Sequence, residues 1–160
     1  MDLLCKIKML LLVKRMKTIL TMEKITPDNI QAIKGKEQIE IIGTDRTPNT
    51  ILNQPEGEII FRGHSLPEDT AGFYNPIKEW IENYIETAPG TTNLSFDLEY
   101  FNSSSFKLLL EIINVISRLK IKEKELKTIW YYKEGDDDMF ESGKQLEDLL
   151  DIKFEYIIYK

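Results

Sequence analysis

Midway along the chain the hydrophobic pattern changes period once, abruptly. Leu94, Phe96, Leu98 and Tyr100 alternate with Ser95, Asp97, Glu99 and Phe101, a period of two that predicts a strand with the first four residues on one face. From Phe106 onward the apolar residues recur at helical spacing, at Leu109, Leu110, Ile113 and Ile116. A second stripe, Leu108, Ile112, Val115 and Leu119, makes this helix apolar nearly all round. Such a helix is either deeply buried or covered along one stripe by another protein. Between the two periods stands Asn102-Ser103-Ser104-Ser105, residue types that cap helix N-termini with a side-chain oxygen. The chain is therefore expected to run strand, sharp turn, helix, with hydroxyls at the positive end of the helix dipole. A phosphate could be added, read and removed there, although an ordinary cap needs the same residues.

The remaining pattern is read in the same way. Ile39, Ile41 and Ile42 predict a short strand, and residues 47–53 an edge strand, because Pro48 is tolerated only at an edge or a strand start. Gln54-Pro55-Glu56-Gly57 is a turn by composition, so Ile51-Leu52 and Ile59 to Phe61 read as a hairpin. Asn75-Pro76 predicts a helix start, followed by Ile77, Trp80, Ile81, Tyr84 and Ile85 on one face and a stop at Pro89-Gly90. A strand over 126–132, a helix from Gly135 to Asp151 with Met139, Phe140, Leu146, Leu149 and Leu150 inward, and a strand over 154–159 complete the chain. The order β-β-β-α-β-α-β-α-β predicts an α/β single domain, a largely parallel or mixed sheet with helices packed on it.

Residues 1–21 differ from the rest. Lys6, Lys8, Lys14, Arg15 and Lys17 face a single Asp2, and the apolar run from Met9 to Val13 is too short to span a membrane. It also lacks the long core and small-residue cleavage site of a signal peptide. The expectation is a disordered or wrongly included extension ahead of a domain over 22–160, with an amphipathic membrane-surface helix as the other reading.

Charge and composition narrow the chemistry. The chain has 160 residues, 42% hydrophobic and 30% charged, with a net charge of -6. That balance argues against nucleic acid as the main partner. Cys5 is the single cysteine and His64 the single histidine. No internal disulfide, zinc cluster or His-rich metal site can be spelled from them, and a reducing cytoplasm fits. The aspartates 136–138 invite a calcium reading, but they lack the alternation and central glycine of an EF-hand loop, and acid side chains at a helix start are favourable in themselves. No dinucleotide, Walker or nucleophile-elbow motif occurs, so no enzyme and no cofactor is expected.

Several separated motifs then carry a resemblance. Phe61-x-Gly63-x-Ser65-x-Pro67-Glu68-Asp69, Phe73-Tyr74-x-Pro76-x-x-x-Trp80 and Tyr100-Phe101-Asn102-Ser103-Ser104-Ser105-x-Lys107 come in order. Trp130-Tyr131-Tyr132 and Asp137-Asp138-x-x-x-Glu141-x-Gly143-Lys144 follow. Together, over roughly Thr47 to the C-terminus, they resemble the SiaC-type biofilm-regulation phosphoprotein family. The resemblance implies a fold similar to the STAS-domain anti-sigma-factor antagonists and a bacterial, non-enzymatic role in signal transduction by partner switching. It implies a serine/threonine kinase of the histidine-kinase-like ATPase type, a metal-dependent serine/threonine phosphatase, and an effector such as a diguanylate cyclase that makes cyclic di-GMP. The phosphorylated hydroxyl falls on Ser103, where the family has threonine, with Ser104 as the alternative. Partner contacts fall on Asn102, Ser103, Ser104, Ser105 and Lys107, and on Glu68 and Asp69, which enter the neighbouring helix. The expected docking surface joins this loop to the uncovered stripe of the central helix. A constitutive scaffold without phosphorylation, or a small-molecule-binding domain using the His64 loop, would be the competing classes.

Overall fold

The computed structural model describes residues 2–160. Seven strands form one sheet in sequence order: β1 (Glu23–Ile25), β2 (Gln38–Ile41), β3 (Asn49–Asn53), β4 (Glu58–Ser65), β5 (Thr91–Phe101), β6 (Glu125–Lys133) and β7 (Phe154–Tyr159). β2, β3 and β4 are antiparallel neighbours, while β4 to β7 run parallel, as do β1 and β2. The predicted hairpin is present, with Ile51 opposite Ile60 and Leu52 opposite Ile59. Residues 47–53 were expected at an edge; β3 instead lies between two strands, and Pro48 is accommodated because it precedes the first paired residue.

Each parallel step from β4 to β7 is crossed by a helix: α2 (Thr70–Thr87), α3 (Ser103–Ile116) and α4 (Asp137–Leu150). Strand order follows chain order throughout, so crossovers of one hand set all three helices on the same face. Beneath them an aromatic row crosses the sheet in register, Phe61 beside Phe96 and Phe96 beside Trp130, with ring centroids 5.4 and 5.5 Å apart.

Three local expectations change. α2 begins at Thr70, not Pro76: Asp69 caps it by accepting the Gly72 N–H at 2.9 Å, and Pro76 lies inside the helix on a half-exposed position. Gly72 has no Cβ because one would lie 2.2 Å from the capping carboxylate. In β5 the register slips, Gly63 pairing with Leu98 and His64 with Tyr100, so Glu99 is an extra residue. The bulge turns Phe101 to the helix side, where it stacks on Phe106 at 6.1 Å, and leaves Tyr100 outside. Both stripes of α3 pack on the core: Ile112, Val115 and Leu119 are buried along with Leu109, Ile113 and Ile116, and Phe106, Leu108 and Leu110 are half-buried against them, so the wholly uncovered stripe expected for docking is not there. In α4, Leu149 faces outward, one position beyond the stripe set by Met139 and Leu146.

Residues 1–21 were expected to be disordered or wrongly included. Leu3–Thr21 forms a helix, α1, capped by Asp2, yet no residue of it is buried. It lies on the other face of the sheet, where Ile19 meets a small cluster of Met22, Ile51 and Ile60 and Arg15 pairs with Glu58. Among the described residues no helix is long and apolar enough to cross a membrane.

Candidate functional site

Because β4, β5 and β6 are parallel, their carboxyl ends share one edge of the sheet, and the turns that follow them meet the N-termini of α2, α3 and α4 there. The middle turn is Asn102–Ser105. Asn102 is the N-cap of α3: its backbone is extended and its Oδ1 accepts the Ser105 N–H at 2.8 Å. Its carbonyl takes the Phe106 N–H at 2.9 Å. The N–H groups of Ser103 and Ser104 have no partner among the described residues, as expected for the first two positions of a helix.

The serines of the cluster fall into two classes. Ser103 and Ser104 are exposed, whereas Ser105 is fully buried. Ser105 was grouped with the partner-contacting residues on sequence; its hydroxyl is instead spent inside, donating to the Ser65 carbonyl at 2.8 Å and lying 2.8 Å from the Ser65 hydroxyl. Ser65 Oγ is in turn 2.5 Å from the Tyr74 hydroxyl. Burial pushes the Tyr74 phenol well above its ordinary range, so it stays protonated. Lys107 is exposed one turn beyond Ser103, on the same side of α3.

Glu68 and Asp69 sit in the turn after β4, at the same edge. Asp69 serves the α2 cap, and Glu68 pairs with Arg46 at 3.1 Å. On the other side, Asp136 caps α4 by accepting the Met139 N–H at 3.0 Å, with Asp137 and Asp138 in the first turn. The exposed Ser103 hydroxyl is thus flanked along the edge by carboxylates of both neighbouring turns. Among the described residues no cluster of three or more His, Cys, Asp or Glu side chains is placed to hold a metal ion. His64 lies near the end of β4, half-exposed, with Nε2 3.9 Å from a Glu99 carboxylate oxygen.

A strand, a capping asparagine, exposed serines and a buried helix are common parts, but their order along the chain is matched by a known family. The model of the SiaC family of regulatory phosphoproteins matches residues 41–159, most of the chain and the whole of this edge. The chain belongs to the SiaC family. Similar proteins include an uncharacterized protein of Pseudomonas aeruginosa strain UCBPP-PA14, 22% identical over 120 residues that make up 75% of this chain and 94% of that protein. Among solved structures, SiaC of P. aeruginosa superimposes with a TM-score of 0.69 at 18% identity, covering 78% of this chain and all of the other. A chain in the crystal structure of the diguanylate cyclase SiaD in complex with its activator SiaC gives 0.70 at 20% identity, covering 75% and 98%. At such identities the structural likeness establishes the SiaC fold, a mixed sheet with helices packed on it.

The SiaC-family motifs now have structural reasons. Ser65, within Gly63-x-Ser65-x-Pro67, and Tyr74, beside Phe73, are the residues that sequence reasoning passed over, and they hold the α3 turn from beneath. A signal was present: Tyr74 sits three residues before Ile77 on the apolar face of α2, and a buried tyrosine hydroxyl requires a partner.

Proposed function

We propose that this SiaC-family chain is a phosphorylatable adaptor of bacterial signalling, acting in the cytoplasm by binding rather than catalysis. Its unphosphorylated form docks on and regulates an effector through the Ser103 edge. The complex of SiaC with the diguanylate cyclase SiaD favours an enzyme of that class as the effector, and hence control of cyclic di-GMP. A kinase of the histidine-kinase-like ATPase type adds the phosphate, and a metal-dependent phosphatase removes it. The supporting observation is the division of labour within one helix turn. The Ser103 hydroxyl is exposed beside two free N–H groups and Lys107, while Ser105, Leu109, Ile112, Ile113, Val115 and Ile116 of the same helix are buried in the core.

Phosphate adds about -1.5 to -2 charges at neutral pH and three acceptor oxygens. On Ser103 those oxygens meet the N–H groups of the helix start, so the domain need not unfold. At a docked interface the same charge has to be buried or paired, and leaving it unpaired costs several kcal/mol, roughly two orders of magnitude in affinity or more. Phosphorylation accordingly blocks docking without refolding the adaptor.

The test combines phosphopeptide mass spectrometry on protein from native cells with binding measurements against a diguanylate cyclase from the same cells. A phosphopeptide covering Ser103 and lost in Ser103→Ala is expected. That variant binds the cyclase like unmodified protein, and the enzymatically phosphorylated form binds at least ~100-fold more weakly. Absence of any phosphate at Ser103 or Ser104, with Ser103→Ala unchanged in binding and phenotype, would point to a constitutive scaffold instead.

A further inference from the structure

The buried hydroxyls beneath the site have a determinate order. Each carries one proton. Ser105 gives its own to the Ser65 carbonyl at 2.8 Å, so at its 2.8 Å contact with Ser65 Oγ it can only accept. Ser65 Oγ has therefore donated its proton to Ser105 and must accept from Tyr74, whose hydroxyl is the donor at the head of the row. The sequence of donors is Tyr74 to Ser65 to Ser105 to the Ser65 carbonyl, with no alternative direction. All three residues are fully buried, and the Ser65 carbonyl also takes the Asn102 N–H at 3.0 Å. Three elements are joined: the second turn of α2, the first turn of α3 and the end of β4.

This fixes the rotation of the first turn of α3. Successive residues of an α-helix are about 100° apart, so with Ser105 held inward Ser103 lies about 160° from the inward direction and Ser104 about 100°. Ser103 then points away from the sheet and Ser104 sideways along its edge. Lys107 lies about 40° from Ser103, on the same outward side. We propose that Ser65, Tyr74 and Ser105 are positioning residues, a one-way hydroxyl relay that holds the turn in the rotation presenting Ser103, rather than Ser104, for phosphorylation. The clause about phosphorylation rests on the function proposed above; the holding of the turn does not.

Tyr74→Phe removes the head donor with least change of shape, and Ser65→Ala removes the middle of the row. Amide hydrogen exchange of both variants is compared with the unaltered chain, and phosphopeptides from native cells expressing each are assigned to Ser103 or Ser104. The expected result is exchange at the Ser105 and Phe106 amides at least ~10-fold faster, while Leu109 to Ile116 keeps its protection. Phosphate then spreads from Ser103 to Ser104, a redistribution that a mere loss of stability does not produce. Wild-type exchange at Ser105 and Phe106 in Tyr74→Phe overturns the proposal, as does a loosened turn whose phosphate stays confined to Ser103. Should Ser65→Ala fail to fold, Tyr74→Phe decides alone. If the unaltered chain carries no phosphate on either serine, the presentation clause falls with the function it rests on, and exchange alone decides whether the relay holds the turn.

Discussion

Glu147 shows how one side chain can tie two elements together and make their junction sensitive to pH. One carboxylate oxygen accepts from Lys144 Nζ at 2.8 Å, and the other takes the Phe154 N–H at 2.6 Å, joining the end of α4 to the start of β7. Burial alone would raise this carboxyl, but the Lys144 ammonium and the Phe154 N–H outweigh it and hold the group below its ordinary value of 4.5. A carboxyl depressed in the fold adds stability above its unfolded value and loses it as the pH falls through the folded value. Glu147→Gln keeps an acceptor for Phe154 and loses the charge. Urea unfolding across pH should therefore show the unaltered chain more stable at neutral pH, with the gap to Glu147→Gln closing in acid; a gap independent of pH would contradict the assignment. At this scale the sequence was informative where a side chain serves its own turn, as Asn102 does in capping α3. It was silent where partners are distant along the chain: Ser105 reads like Ser103 and Ser104 until Ser65, forty residues earlier, is placed beneath it.

Between elements, α4 approaches β6 closely. Gly143 faces Trp130, and a Cβ on it would lie 2.9 Å from ring atoms Cδ1 and Nε1. The ring cannot yield easily, being fully buried with its N–H donated to the Met139 carbonyl at 3.0 Å. Alanine is the better helix former by about 1 kcal/mol, but forced overpacking costs typically 1–3 kcal/mol, and because the buried ring cannot yield Gly143→Ala should destabilise by up to about 2 kcal/mol net. Thermal and urea unfolding would show it, with a lowered midpoint and unchanged helix content; a raised midpoint would mean that α4 moves away freely. Element type was legible wherever a period ran long, as in α3 and α4. What the pattern could not supply was phase and boundary. The bulge at Glu99 reverses the facing of Tyr100 and Phe101, which simple alternation placed the other way. Pro76 marked a helix start by rule, whereas the Asp69 cap and Gly72 had already begun α2 two turns earlier.

On the scale of the molecule, sequential strand order leaves the two faces of the sheet unequal: α2, α3 and α4 share one, and α1 lies on the other. The main core is complete on the first face, running from Ile25 to Phe154 without a residue of α1. α1 is held by the Arg15–Glu58 pair and the Ile19 contact, and an open gap of about 440 Å³ lies between it and the sheet around Lys8, Leu12 and Asn93. Burial raises the Glu58 carboxyl despite the opposing Arg15 charge, so near neutral pH its ionised form is held at a cost in the full chain. Removing α1 deletes the pair but also returns that carboxylate to water, and the two effects oppose one another. A chain beginning at Met22 should therefore unfold cooperatively, within about 1 kcal/mol of the full chain, an exposed-pair magnitude rather than a core one. Urea unfolding of the two chains side by side measures it, and amide exchange in α3 should be unchanged because α3 packs on the opposite face. Loss of a cooperative transition in the shorter chain would show that α1 is part of the folding unit, and that the boundary drawn at residue 22 divides a single domain.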